Sequence, residues 1–248
     1  MTAFRPRHLS VSSVSLFERC PAQWKRRYVD RLAEPTSVPM LFGTVFHKAL
    51  EAEHRGEDSE RALVAAWNAA DAALAASGQQ MHPGKAHALA LLDEYRRLGL
   101  GGKLGEPERK FSLALPSRKV PVPVLGYIDL PMPERRRFRE FKTTSTSSWT
   151  ATKVALEHQL HVYGWAYQNL YRHRAEAAEY VIFGTVNPAV ELIEAVPMPD
   201  GFRVFEQAAE GVWKAISEQR FDGCGTCEVC KPAEAKDGPT FDWGEADA

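Results

Sequence analysis

The chain is short of several things. It has only four cysteines in 248 residues, too few for a disulfide scaffold. No run of about 18 apolar residues occurs, which excludes a helical membrane span. The opening MTAFRPRHLS lacks the apolar core of a secretory signal. A reducing, cytoplasmic compartment is therefore expected, in a prokaryotic cell or a phage-infected host. Net charge is −1, so no global basic field advertises nucleic acid. That leaves open a cleft that concentrates basic residues locally. The glycines at 99, 101, 102 and 105 lack the spacing and the Lys-Ser/Thr of a phosphate-binding loop, so a nucleotide site is excluded there. What remains is ordinary for a soluble globular chain: 44% hydrophobic and 25% charged residues.

Helical signals dominate the first hundred residues. In SVSSVSLFERCPAQWKRRYVD, Ser13 or Ser15 reads as a helix cap, and Pro21 predicts a break near Cys20 with a second helix after it. A proline-rich loop covers 31–40. LFGTVFHKALEAEHRG reads as a helix entered through Gly43, and apolar residues at helical spacing mark helices over 59–76 and 85–98. A histidine such as His47 on an apolar helix is most often structural, so this segment alone assigns it no chemistry.

Strand signals follow. GEPERKFSLAL, KVPVPVLGYIDL and RRRFREFKT read as strands, the second with an irregular start at Pro121 and Pro123. Residues 151–173 read as one helix with a stripe at Leu156, Leu160, Tyr163, Tyr167 and Leu170. EYVIFGTV is a buried strand, VELIEAVPM a half-covered one, and a last helix runs from about Gly201 to Glu218. About five strands in one sheet are expected, with residues 1–230 as a single α/β domain (1–100 mainly helical, 101–230 the sheet core and cysteine cluster) and 231–248 as a flexible tail.

The chemistry concentrates between Leu125 and Thr143. Asp129 ends an apolar run, and Glu140 and Lys142 lie two apart on the next strand, so they share a face while Phe141 points to the core. Two carboxylates from neighbouring strands suit one hard divalent cation, Mg²⁺ or Mn²⁺, and phosphodiester hydrolysis uses such an ion. Lys142 beside it would orient or deprotonate the attacking water, or stabilise developing charge. The bland reading of the same stretch is a hairpin with a surface Glu–Lys pair.

Several motifs in order resemble the RecB-type branch of the PD-(D/E)XK nuclease superfamily: SVSSVSLFERCPAQWKRRYV, FGTVFH, an acidic residue at Glu108, GYID, EFK, and QLHVY. The resemblance implies a restriction-endonuclease-like α/β fold, a central mixed sheet flanked by helices with an N-terminal helical part. It implies that His47, Glu108, Asp129 and Glu140 surround the metal, with the carbonyl of Phe141 a further ligand. Lys142 would be the catalytic lysine, and Gln159 and Tyr163 would line the site and position DNA. Glu106, two residues from Glu108, is the competing acidic candidate.

Cys224, Cys227 and Cys230 form C-x2-C-x2-C, and Cys20 is the remaining cysteine. Related AddB-like and CRISPR-adaptation nucleases hold a [4Fe–4S] cluster with one early and three late cysteines, so the resemblance implies a structural cluster here. The last two cysteines lie closer than is usual in that group, which keeps a Zn²⁺ site with four thiolates as the alternative. The expected activity is a Mg/Mn-dependent DNA exonuclease acting on single strands or free ends in recombination, repair or phage DNA processing. Lys25 to Arg27 and the basic residues near Arg135 to Arg139 could track the backbone, and Trp149 could stack on a base. A solvated helix face for the first group and a solvated turn for the three consecutive arginines are the competing readings. No helicase motif is present, so any helicase or recombination partner is a separate chain. The alternatives are a non-catalytic DNA-binding or assembly subunit and a zinc-stapled endonuclease.

Overall fold

In a computed structural model, residues 4–32, 37–75, 78–146 and 148–230 are described. The expected tail over 231–248 lies outside them, as do residues 33–36 of the proline-rich loop. The chain divides into two compact units, one of Met1–Pro35, Lys110–Gly126 and Pro199–Ala248, the other of Thr36–Arg109 and Tyr127–Met198.

The first unit is built on α1 (Val11–Arg19), α2 (Pro21–Tyr28) and α8 (Pro199–Ser217). The cap of α1 is Ser10, not Ser13 or Ser15; its Oγ accepts from the Ser13 backbone N–H at 3.1 Å while the Ser13 hydroxyl accepts from that of Ser10. Ser13 is thus the reciprocal partner of a capping box, which places the helix start one turn earlier. The break at Cys20 is as expected: Cys20 is extended, and Pro21 opens α2 where its missing N–H costs nothing. On α8, Phe202, Phe205, Ala209, Val212 and Ile216 recur every three or four residues and are buried, which is why the segment is helical and packs against α1. Trp24 is the hub: it stacks on Phe221 at 5.9 Å and meets Phe17 edge-on at 5.5 Å. Such aromatic pairs add about 0.5–1.5 kcal/mol each beyond their burial.

The second unit carries α3 (Val38–Arg55), α4 (Ser59–Ala75), α5 (Lys85–Arg97) and a four-stranded sheet in the order β3-β4-β5-β6. Helix α3 begins five residues before Gly43, because Ser37 caps it and Pro39 fits its first turn. Strand β4 (Arg137–Thr144) pairs antiparallel with β3 (Leu130–Met132) and parallel with β5 (Ala177–Gly184), and β5 pairs antiparallel with β6 (Val190–Ala195). The sheet is therefore mixed. Its central strand β5 is buried along almost its whole length, as its continuous apolar run requires. Phe46 from α3 meets Phe183 from β5 at 4.7 Å, and Phe42 meets Trp67 of α4 at 5.9 Å. The single five-strand sheet expected above is replaced by this one and a two-stranded pair, β1 (Arg109–Leu113) with β2 (Val124–Ile128). The predicted GYIDL strand is cut at Asp129, between β2 and β3.

The crossover from β4 to β5 differs from the single expected helix. It is two helices, α6 (Ala151–Leu156) and α7 (His158–Tyr171), interrupted at Glu157 with ψ 127°. No Pro or Gly marks that break. Leu156, counted in the apolar stripe, is 77% exposed, whereas Leu160, Tyr163 and Tyr167 are buried. Among the described residues no helix is long and apolar enough to cross a membrane.

Candidate active site

Helix α3 lies close to the end of β4. A Cβ added at Gly43 would stand 3.1 Å from Thr143 Oγ1, a tight fit that would require the Thr143 side chain to give by a few tenths of an ångström. That approach brings His47, one turn further on, over the sheet: its Nδ1 is 3.9 Å from Asp129 Oδ1, and its ring faces Phe141 edge-on. Burial lowers the His47 pKa, against the Glu140 carboxylate and a hydrogen bond to the backbone of Phe141, which favours the neutral imidazole that metal ligation needs.

Asp129 sits in the gap between β2 and β3, where its Oδ2 accepts the Phe141 N–H at 2.8 Å. Its backbone carbonyl accepts the Glu108 N–H at 2.8 Å. Glu108 takes a left-handed conformation, φ +57°, which costs a non-glycine residue about 1–3 kcal/mol. This kink ends the regular alternation assumed for GEPERKF. It separates the two acidic candidates: Glu108 turns inward, while Glu106 is 75% exposed and paired with Arg109.

His47, Glu108 and Asp129 each offer a ligand atom, and these atoms lie within 4.8 Å of one another. Glu140 stands beside Asp129 on β4. Its Oε1 receives the Lys142 Nζ at 2.8 Å and the Gln159 Nε2 at 2.6 Å, and Gln159 Oε1 receives Lys142 at 2.7 Å. The break at Glu157 is what sets Gln159 in the first turn of α7 at this point. Tyr163 is buried one turn later on the same helix, and burial raises its hydroxyl pKa, with the Glu140 and Asp129 carboxylates adding to the effect. The other oxygen of Glu140, Oε2, is buried with no hydrogen-bond partner among the described residues.

The electrostatics follow from crowding. Burial above all pushes Glu108, Asp129 and Glu140 each up to about 7; Glu51 and then Glu140 add to it at Glu108, Asp129 adds to it at Glu140, and at Asp129 Glu108 adds to it while Lys142 opposes it. Burial works to lower the Lys142 pKa, but Glu140 and Asp129 outweigh it and keep the ammonium charged. Two carboxyls and an imidazole whose ligand atoms converge, with the unpaired oxygen of a third carboxyl, Glu140, on the neighbouring strand, are a donor set that fits a hard divalent cation.

In the first unit, Cys20, Cys224, Cys227 and Cys230 meet, every sulfur within 4.8 Å of the others. Cys20 lies 3.5 Å from Cys230 and 3.6 Å from Cys227, and Cys224 is 4.0 Å from Cys230. All four are free thiols. The Thr226 hydroxyl, at 3.4 Å, leads the hydrogen bonds that pull Cys224 down to about 5. Burial pushes Cys227 up to about 11. A Cβ at Gly223 would sit 2.9 Å from Cys230 Sγ, so glycine is needed for the sulfurs to close up. The group fits a thiolate-bound metal. Four sulfurs about 2.3 Å from one tetrahedral ion stand about 3.8 Å apart, and the separations here match that spacing.

The basic residues behave differently from expectation. Arg139 is buried and spends its guanidinium on Glu179 at 2.6 and 2.9 Å, the Tyr95 hydroxyl at 2.7 Å and the Leu100 carbonyl at 2.7 Å. Arg137 pairs with Glu179 and Glu194, and Arg136 with Glu176. Of the run, Arg135 alone is exposed without a recorded ion pair. Lys25 is held by Asp30 at 2.7 Å. Trp149 is half-buried with the Lys153 ammonium 4.3 Å above its ring.

The fold is mixed α/β, with clustered carboxylates and a lysine on and beside an inner strand of its sheet. The sequence pattern of the PD-(D/E)XK nuclease superfamily matches residues 8–234, and the chain belongs to that superfamily. No curated protein matches it. Among solved structures, the crystal structure at 2.19 Å of a proposed exonuclease from Eubacterium rectale is similar in fold, with 12% identity, 95% of this chain and 91% of that chain covered, and a TM-score of 0.63. A second, SSO0001, has 13% identity over 89% of this chain and 80% of that one, with a TM-score of 0.39. Nucleases of this superfamily use divalent metals.

Proposed function

We propose that the chain is a Mg²⁺- or Mn²⁺-dependent deoxyribonuclease of the RecB type, an exonuclease acting on single strands or free ends in recombination, repair or phage DNA processing. The observation that carries this reading is the convergence of His47, Glu108 and Asp129 beside an orphaned oxygen of Glu140, with Lys142 held next to it. His47, Glu108, Asp129 and Glu140 would hold the cation, with the Phe141 carbonyl alongside. A bound cation supplies charge neutralisation at the scissile phosphate. Lys142, kept charged by its carboxylate neighbours, stabilises negative charge developing on the phosphate oxygens. Gln159 ties Lys142 to Glu140 and fixes both, and Tyr163 supports that wall. Lys153, held 4.3 Å over the Trp149 ring, offers a phosphate contact.

The match over residues 8–234 supports reading both units as one nuclease domain. Unwinding belongs to a separate helicase or recombination partner, and a cytoplasmic site of action follows from the substrate. The cysteine group is a structural metal staple. Its arrangement of one early and three late cysteines supports a [4Fe–4S] cluster; the sulfur spacing favours a second reading, a single Zn²⁺ ion. Metal analysis and the visible spectrum of anaerobic protein separate the two.

End-labelled DNA incubated with protein and Mn²⁺ tests the main reading. Wild type is expected to shorten the label progressively and Lys142→Ala to lose about 10²–10⁴-fold in rate. Equal behaviour of the two proteins would refute the assigned site, and metal-independent binding without cleavage would mark a DNA-binding subunit instead.

A further inference from the structure

The parallel pairing of β4 with β5 sets Glu140 directly beside Tyr180. Side chains at paired positions of adjacent strands stand on the same face of the sheet, a few ångströms apart. Tyr180 is fully buried, and its hydroxyl has no hydrogen-bond partner among the described residues. The neighbouring Glu140 Oε2 is in the same condition. Native proteins seldom leave buried polar atoms unpaired, and a phenylalanine at 180 would fill the same space without that penalty.

The surroundings narrow what the hydroxyl serves. Glu140 Oε1 is already taken by Lys142 and Gln159, so Oε2 is the oxygen with capacity left. A carboxylate oxygen has two lone pairs, enough for a cation and one further donor. Trp149 packs on the Tyr180 ring at 6.1 Å and closes that side of the space. The Glu140 carboxylate is also the leading charge acting on the Tyr180 hydroxyl.

We propose that Tyr180 is a positioning residue of the active site, its hydroxyl joined to Glu140 Oε2 through one buried water so that this oxygen is aimed at the cation. The water would donate to Oε2 and accept from the tyrosine. Partners of this kind behind a ligand carboxylate are worth about 10–100-fold in metal affinity or activity. The proposal rests on the metal site described above.

The test is Tyr180→Phe in the full chain, read three ways. Calorimetric titration with Mn²⁺ is expected to show at least a fivefold weaker dissociation constant. DNA cleavage at saturating Mn²⁺ is expected to lose kcat with KM for DNA unchanged. The thermal midpoint is expected to fall more in the Mn²⁺-saturated protein than in the metal-free one, because a merely structural hydroxyl would lower both equally. In a Glu140→Gln background the same change is expected to cost no further Mn²⁺ affinity. Unchanged Mn²⁺ affinity, an equal fall in both midpoints, or the same loss of Mn²⁺ affinity in the Glu140→Gln background overturns the proposal. A wild type that neither binds Mn²⁺ nor cleaves DNA overturns the metal-site reading itself, which is a distinct result.

Discussion

The two units solve one problem, gathering ligating side chains, by opposite means. In the unit of Thr36–Arg109 and Tyr127–Met198, strand register places Glu140, and hydrogen bonds from neighbouring backbone hold Glu108 and Asp129 beside it. Their backbone is locked by ladders and by a core that includes Phe42, Phe46, Tyr95, Phe141 and Phe183, all at most 4% exposed. Here the fold comes first, and it forces like charges together. In the other unit Cys224, Cys227 and Cys230 lie on a segment without regular structure, and Cys20 stands 210 residues before Cys230 at a helix junction. Among the described residues, short-range hydrogen bonds such as Cys227 N–H to Cys224 Sγ and Cys230 N–H to the Cys227 carbonyl shape that loop. A pre-strained site keeps its form without an ion and gains reactivity from it, whereas a loop-built site relies on its ion for its form.

This contrast can be broken by removing one ligand from each. Asp129→Asn is expected to lower cleavage of labelled DNA by about 10²–10⁴-fold. It is also expected to raise the thermal midpoint of the metal-free protein, because a buried carboxyl held near pKa 7 by burial is removed. Cys20→Ser is expected to do the reverse. Metal content at the thiolate site should fall, and stability should drop by about 3 kcal/mol or more, roughly 6–12 °C. Calorimetric Mn²⁺ titration of the carboxylate site should be unchanged. A Cys20→Ser protein as stable as wild type would remove the distinction.

A pH series sharpens the comparison further. Glu108, Asp129 and Glu140 have folded-state pKa values raised to about 7. Their contribution to metal-free stability is fully present below their unfolded values of about 4, and is lost as pH rises through about 7. His54, pulled down to about 4 chiefly by burial, acts in the opposite sense, so the metal-free curve alone mixes the two. A cation requires the ionised carboxylates. The gain in thermal midpoint on adding Mn²⁺ is therefore expected to grow between pH 5.5 and 7.5 by the equivalent of about 1–3 kcal/mol. A gain that is flat across this window would mean that the three carboxyls do not share the ion.

The smallest effect is expected at Glu106. Glu106→Ala should change stability by less than about 0.5 kcal/mol and leave cleavage unaltered, since its only recorded partner is an exposed Arg109. Glu108→Ala should abolish Mn²⁺ binding. Matching kinetics for the two variants would undo the choice between them.

Much of the site was legible in the chain because its spacing is local. Glu140 and Lys142 share a face by the two-residue period of a strand, and their 2.8 Å contact follows from it. The Pro21 break and the α8 stripe were legible for the same reason. Three features were not. The kink at Glu108 carries no glycine signal, since only the bond to the Asp129 carbonyl imposes it. The break at Glu157 lies in a sequence of good helix formers. Arg139 looked like one of a surface run, and its burial depends on Glu179 and Tyr95, which lie about 40 residues away on either side.

By itself the sequence determined residue chemistry and local period: which side chains are able to ligate, which pairs share a face, and which thiols are available to meet. Tertiary structure alone decided which acidic residue of two turns toward Asp129, that Arg136, Arg137 and Arg139 are spent on internal pairs, and that Tyr180 borders Glu140. The physical reason is range. Propensity and periodicity act over a few residues, whereas strand register, helix approach and the neutralisation of buried charge join positions far apart in the chain.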